Sequence, residues 1–162
     1  MQRIYLAGGC FWGVQKFFDQ FEGVVNTEVG YANGPEMPGG VSYEAVCQSS
    51  GHAEALKIEW DEARLPLAKL LDYYFMIIDP TAVNRQGNDT GIQYRTGIYY
   101  SDKAHLPIIE EAMRREQEKH PLPLAVEVMP LKNFYSAEAY HQKYLEKNPG
   151  GYCHIPPRMF TL

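Results

Sequence analysis

Six residues near the start of the chain, Gly8-Gly9-Cys10-Phe11-Trp12-Gly13, constrain its fold more than any other segment. Before them, Arg3-Ile4-Tyr5-Leu6 reads as a strand. After them, Val14, Phe17, Phe18 and Phe21 recur at helical spacing and share one face. A chain that turns from strand to helix within so few residues needs backbone freedom, which the two glycines supply. Cys10 then falls at or beside the first helical turn. Unpaired N–H groups and the positive end of the helix dipole favour thiolate there, predicting a pKa below the usual value of about 8.5. A cysteine beside two aromatics also fits a small buried hydrophobe, so residue type alone leaves both readings open.

At 162 residues the chain is long enough for one domain with a substantial core and too short for two. Its formal charge is −5 and it has no cluster of lysines or arginines, which argues against nucleic acid or an anionic membrane as partner. The first residues lack the apolar core of a signal peptide, and no apolar run approaches the roughly 18–20 residues of a membrane span. A cytoplasmic location is the expectation. Cys10, Cys47 and Cys153 are odd in number and widely scattered, so a structural disulfide framework is not expected. No C-x-x-C spacing points to a metal.

Gly23 breaks the first helical pattern, and Val24 to Tyr31 reads as a strand rich in β-branched residues. Residues 33–40 form a Gly/Pro loop, and Ser42 to Cys47 a short apolar segment. The next strand is the clearest in the chain, because Glu54, Leu56, Ile58 and Trp60 share one face by period 2. Pro66 opens a helix carrying Leu67, Leu70, Leu71, Tyr74 and Phe75, which Asp79-Pro80 ends. Thr81 to Gly91 is polar and aperiodic. A strand over 93–100, a helix capped by Ser101 or Asp102 and running to about Lys119, and a strand over 125–129 follow. A helix capped by Ser136 is predicted to about Glu146, then an irregular tail over 148–162. The order β-α-β-β-α-β predicts an α+β fold, a two-layer ferredoxin-like (split βαβ) sandwich with a mostly antiparallel sheet and added helices. One catalytic domain over 1–162 is expected.

Besides Cys10, three groups of side chains are candidates to carry chemistry. Glu54 lies on the apolar face of its strand, so it is paired with a cation, desolvated with a raised pKa, or at the strand end reaching water. A neutral, desolvated carboxyl would serve as a general acid at pH 7. Tyr31, Tyr43, Tyr94 and Tyr152 stand in polar loops, either as structural phenols or as donors to a small polar oxygen. Cys153, in Gly150-Gly151-Tyr152-Cys153-His154, is either a structural cysteine or, in a glycine-flanked tail, a second, resolving thiol. Cys47, beside Val46, reads as buried and inert. His141 is either on a polar helix face or in the site, while His52 and His154 merely adjoin candidate residues in sequence.

These residues, taken together and in order, resemble the A-type peptide methionine sulfoxide reductases. The resemblance is carried by Gly8-Gly9-Cys10-Phe11-Trp12-Gly13, Gly51-His52-Ala53-Glu54-Ala55, Asn84-Arg85-Gln86-Gly87-Asn88-Asp89 with Gly91 and Gln93-Tyr94-Arg95, and Gly151-Tyr152-Cys153. It covers Ile4 to Cys153, and several blocks in one order are far more specific than any one of them. It implies that Cys10 is the nucleophile, that Phe11 and Trp12 hold the substrate methyl group, and that Glu54 donates the proton. Tyr43 and Tyr94 would bond the sulfoxide oxygen. Asp89 and His141 would support the substrate site, and Cys153 would resolve the sulfenic acid as a disulfide. The implied substrate is methionine-S-sulfoxide, free or in proteins, with thioredoxin as reductant and no cofactor.

Two departures stand out. Val41-Ser42 precedes Tyr43 where relatives often have Pro-Thr, and the tail lacks the further cysteine of some members, so no third tail thiol is available. Two rival functions remain at the level of sequence. One is a cysteine hydrolase or acyltransferase using Cys10 and His141; the other is a non-enzymatic peptide-binding domain.

Overall fold

The computed structural model describes all 162 residues and places β1 (Gln2–Gly8) at the centre of a six-stranded sheet. β1 pairs antiparallel with β3 (Ala53–Trp60) on one side and with β6 (Thr96–Tyr100) on the other. β2 (Val24–Ala32) lies antiparallel to the outer side of β3. The order β6-β1-β3-β2 is the split βαβ arrangement that the element order predicts. β7 (Glu127–Pro130) extends the sheet in parallel beside β6, and β8 (Phe134–Ser136) adds antiparallel to β2.

One face carries the main core. The period-2 residues of β3 behave as expected, with Leu56, Ile58 and Trp60 fully buried there. α1 (Phe11–Asp19) and α3 (Leu67–Met76) supply Phe17, Phe18, Leu70 and Leu71 from above. Each of the two phenylalanines removes enough apolar surface from water to contribute about 1.5–3 kcal/mol. α4 (Leu106–Gln117) adds Ile109 and Ala112 beside α3. Asp102 caps the turn before α4 by accepting from the Ala104 N–H at 2.9 Å. The opposite face is thinner, with Tyr5, Ala7, Ala53, Ala55 and Tyr99 covered partly by Phe134.

Several elements depart from the sequence reading. α1 begins three residues earlier than the apolar spacing suggested and ends at Asp19, so Phe21 packs from the following turn. Ser42–Cys47 becomes a one-turn helix, α2 (Tyr43–Cys47), because Ser42 caps it through the Ala45 N–H. The polar stretch 81–91 holds a two-residue hairpin, β4 (Arg85–Gln86) and β5 (Asp89–Thr90). No helix runs from Ser136 to Glu146. Ser136 instead ends β8, and the Gln142 amide pairs with both the N–H and the C=O of Val29, standing in for a strand. The segment keeps one tight turn over Ala139–His141, and Lys143 then adopts a left-handed φ of 56° before the turn α5 (Tyr144–Lys147). No helix is long and apolar enough to cross a membrane.

The fold fixes where β1 ends. The Tyr74 hydroxyl, buried under α3, donates to the Ala7 carbonyl at 2.6 Å and accepts from the Gly97 N–H at 3.2 Å. The chain leaves the sheet from that clamp straight into Gly8-Gly9-Cys10.

Candidate active site

Cys10 is the N-cap residue of α1 and only 7% exposed. Gly9, just before it, has φ +85°, and a Cβ there would stand 2.7 Å from the Gln86 Cβ of the hairpin. Only glycine meets both demands. The sequence reading of a thiol favoured as thiolate is corrected here: burial, and then the Glu54 carboxylate, push the Cys10 pKa well up. The Trp12 N–H near the sulfur pulls the other way but is outweighed. Partial charges at one helix end compensate a sulfur anion less than water does, so the resting thiol keeps its proton.

Glu54 stands near the start of β3, opposite Tyr31, and is 1% exposed. Its Oε1 accepts the Phe11 N–H at 3.2 Å, which ties it to the residue after Cys10. Its Oε2 is buried without a partner, and no lysine or arginine pairs with it. Burial pushes its pKa up to about 8 against the smaller, opposite pull of the Phe11 N–H. Of the alternatives open in the sequence, the desolvated one holds. With Oε1 occupied as an acceptor, the proton belongs on Oε2.

Tyr43 comes from α2 and Tyr94 from the turn Ile92–Tyr94. Burial raises both phenols, and the next influences on Tyr94 are Glu54, Asp89 and Cys10. Both therefore remain O–H donors near the Glu54 carboxyl, and Tyr94 near the Cys10 thiol as well. Phe11 is buried with its ring 5.7 Å from Tyr31 and 5.2 Å from His141. Trp12 stacks on Tyr144 at 3.8 Å and donates its Nε1–H to His141 Nδ1 at 2.9 Å. Since indole nitrogen only donates, Nδ1 must be the acceptor and the histidine proton sits on Nε2. His141 is 1% exposed, and burial lowers its pKa. Its basic nitrogen is occupied, which leaves it no lone pair for activating Cys10 and disfavours the hydrolase reading.

Cys153 approaches from the tail. Its Sγ lies 2.5 Å from where a Cβ on Gly13 would stand, so the absent side chain at 13 makes room for the second sulfur. The Ile155 N–H donates to that Sγ at 3.3 Å, and Ile155 itself is 2% exposed in the main core. The tail is irregular, as expected, but docked. Both thiols are free, and charge on Cys153 is felt at Cys10. Asp89, on β5, has a raised pKa from burial and one buried, unpartnered oxygen.

The sequence model of the peptide methionine sulfoxide reductase family matches residues 2–161. The chain belongs to this family. The reductase is 57% identical over 161 residues to the peptide methionine sulfoxide reductase MsrA of Clostridium acetobutylicum, covering 98% of each chain. Its fold is similar to that of reduced Mxr1 from Saccharomyces cerevisiae, with a TM-score of 0.91 and 39% identity over 96% of this chain and 91% of that one. A second structure of Mxr1, in complex with Trx2, matches with a TM-score of 0.62 and 27% identity over 88% of this chain and 84% of that one. The activity is reduction of methionine sulfoxide.

Two features of the reductase escaped the sequence reading. Glu138 accepts from the Tyr31 hydroxyl at 2.8 Å and from the Tyr43 N–H at 3.0 Å, so it fixes α2 against β2. Nothing local to residue 138 signals this role. Cys47, expected to be buried, is exposed: Val46 takes the inward position of α2, and Cys47 lies one turn after Tyr43 with its thiol beside that phenol. His52 belongs to the loop scaffold, with its ring nitrogens 2.8 Å from Ser50 Oγ and 2.9 Å from the Pro35 carbonyl.

Proposed function

We propose that the reductase acts on methionine-S-sulfoxide, free or in proteins, with Cys10 as nucleophile and Glu54 as proton donor. The observation that carries this is the buried, unpaired Glu54 carboxyl bonded to the N–H of Phe11 beside Cys10. A sulfoxide oxygen leaves sulfur only when protonated, and a carboxyl with a pKa near 8 still holds its proton at pH 7. Tyr43 and Tyr94 donate to the same oxygen and fix its direction. Phe11 and Trp12 hold the methyl group, so methyl, oxygen and side-chain stem each meet a different wall. Asp89 supports the proton-donating side, and His141 holds Trp12 in place.

As Glu54 protonates the oxygen, the thiol proton of Cys10 passes to the carboxylate that forms. The oxygen passes from the substrate sulfur to Cys10 Sγ: the substrate S–O bond breaks, an S–O bond to Cys10 forms, methionine leaves, and Cys10 becomes a sulfenic acid. The Cys153 thiol then displaces its hydroxyl: an S–S bond forms, an S–O bond breaks, and water departs with the Cys153 proton. A dithiol of the thioredoxin type reduces the Cys10–Cys153 disulfide, a step supported by the complex of the yeast relative. The whole chain works as one catalytic domain in the cytoplasm, a reading its three free cysteines support.

The deciding experiment offers each epimer of methionine sulfoxide separately with dithiothreitol. Consumption of the S epimer alone is expected, and equal consumption of both would remove the three-wall account.

A further inference from the structure

His154, immediately after Cys153, does not face solvent as a tail residue would. A Cβ at Gly9 would lie 3.1 Å from its ring Cε1, and a Cβ at Gly87 would lie 3.1 Å from its own Cβ. The residue is therefore wedged between the loop that delivers Cys10 and the turn of the β4–β5 hairpin. Both ring nitrogens are buried without a well-formed hydrogen bond, and the one group the ring reaches is the Gly8 carbonyl, two residues before Cys10. Asp89, paired with Gln86 across the same hairpin, also has a buried orphan oxygen, and its charge and the Gly8 carbonyl both act on the His154 ring. Buried polar groups without partners are rare because each forfeits hydrogen bonds it had in water. The Tyr152 hydroxyl bonds the Asp89 carboxyl, whose Oδ2 stays free, so a ring nitrogen of His154 and that oxygen are the two groups here left able to pair.

We propose that His154 is a positioning residue for disulfide formation, anchoring the Cys153 segment to the nucleophile loop and the hairpin through its ring N–H and the Asp89 carboxyl. This rests on the reading of Cys153 as the resolving thiol. The first chemical step needs only Cys10, Glu54 and the substrate pocket. The second needs two sulfurs brought within bonding distance, with Cα atoms about 4.4–6.8 Å apart. Cys153 is guided on one side by Gly13 and Ile155, and His154 supplies the guide on the other. Closing the His154–Asp89 pair holds the segment against the hairpin beside Gly9, the residue before Cys10.

The test mixes enzyme with one equivalent of a methionine sulfoxide peptide and quenches at timed intervals. Methionine formed, Cys10 sulfenic acid trapped by a cyclic 1,3-dione, and the Cys10–Cys153 disulfide are measured by mass spectrometry. Wild type is expected to give disulfide with almost no dione adduct. His154→Leu fills the same space without a donor; it should form methionine within twofold of the wild-type rate but form disulfide at least tenfold more slowly, with the adduct accumulating. His154→Gln, which restores a donor, should return disulfide formation to within about threefold of wild type. His154→Ala replaces the Leu variant if that one does not fold. Wild-type disulfide rates in the Leu variant, equal loss of both steps, or a Gln variant no better than Leu would each overturn the proposal. Absence of the disulfide in wild type would instead overturn the assignment of Cys153.

Discussion

Cys10 and Cys153 lie close together, yet different parts of the fold hold them. Cys10 stands at the junction of the central strand and a helix packed into the main core, with Tyr74 clamping the chain three residues before it. Cys153 lies in a segment without helix or strand, held by a void at Gly13, by Ile155 and by the wedge of His154. The first position keeps a thiol and an acid dry and rigid, which the proposed protonation of a sulfoxide requires. The second, in the proposed cycle, lets a sulfur arrive after the product has left and then be reached by an external dithiol. Burial suits the first thiol and would defeat the second.

The sharpest way to break this contrast is to remove each sulfur. Cys10→Ser should abolish methionine formation, while Cys153→Ser should yield about one methionine per enzyme and then stall with thioredoxin. Sustained turnover by Cys153→Ser would show that the tail position is not the resolving one. Glu54→Gln should slow single-turnover methionine formation by about 10²–10⁴-fold, the usual contribution of a positioned general acid. In wild type that rate should fall as pH rises through about 8, where Glu54 loses its proton, and the Gln variant should lack this limb.

The same burial has a stability signature. Glu54 has a folded pKa raised to about 8, so the folded state binds a proton that the unfolded state has already lost above the usual carboxylate range. Its contribution is fully present below that range, declines as pH rises toward 8, and then levels off. The stability of Glu54→Gln relative to wild type should therefore grow by roughly 3–5 kcal/mol between about pH 4.5 and pH 8. Urea unfolding at several pH values checks this, and parallel curves would mean that the carboxyl is not desolvated.

Gly13→Ala separates the two regions from the other side. A glycine inside a helix is worth up to about 1 kcal/mol less than alanine, so the helix should gain stability. The new methyl occupies the place of Cys153 Sγ, and disulfide formation should slow about tenfold while the first step stays within about twofold. The smallest effect is expected at His141. His141→Ala frees the Trp12 ring and should raise KM severalfold with little change in kcat, whereas a kcat collapse would point to a direct chemical role.

The glycines, the helical run after Cys10 and the alternation through Glu54 determined that Cys10 heads a helix, the ferredoxin-like core and the face on which Glu54 lies. Those features were legible because they are local: period and turn chemistry act over a few residues. The segment 134–147 was misread because the Gln142 amide satisfies Val29, a partner 113 residues away. Cys47 was misread because a one-turn helix is too short for periodicity to say which of two neighbours faces inward.

What only the tertiary structure decided is electrostatic and steric. A sequence can suggest a carboxyl beside a thiol but cannot say that water is absent, and it is the absence of water that raises both pKa values. Nor does it show that Gly13 leaves room for a sulfur 140 positions later, or that His154 enters the gap between Gly9 and Gly87. Desolvation and close approach are sums over atoms brought from distant parts of the chain, so they exist only once the chain has closed around them.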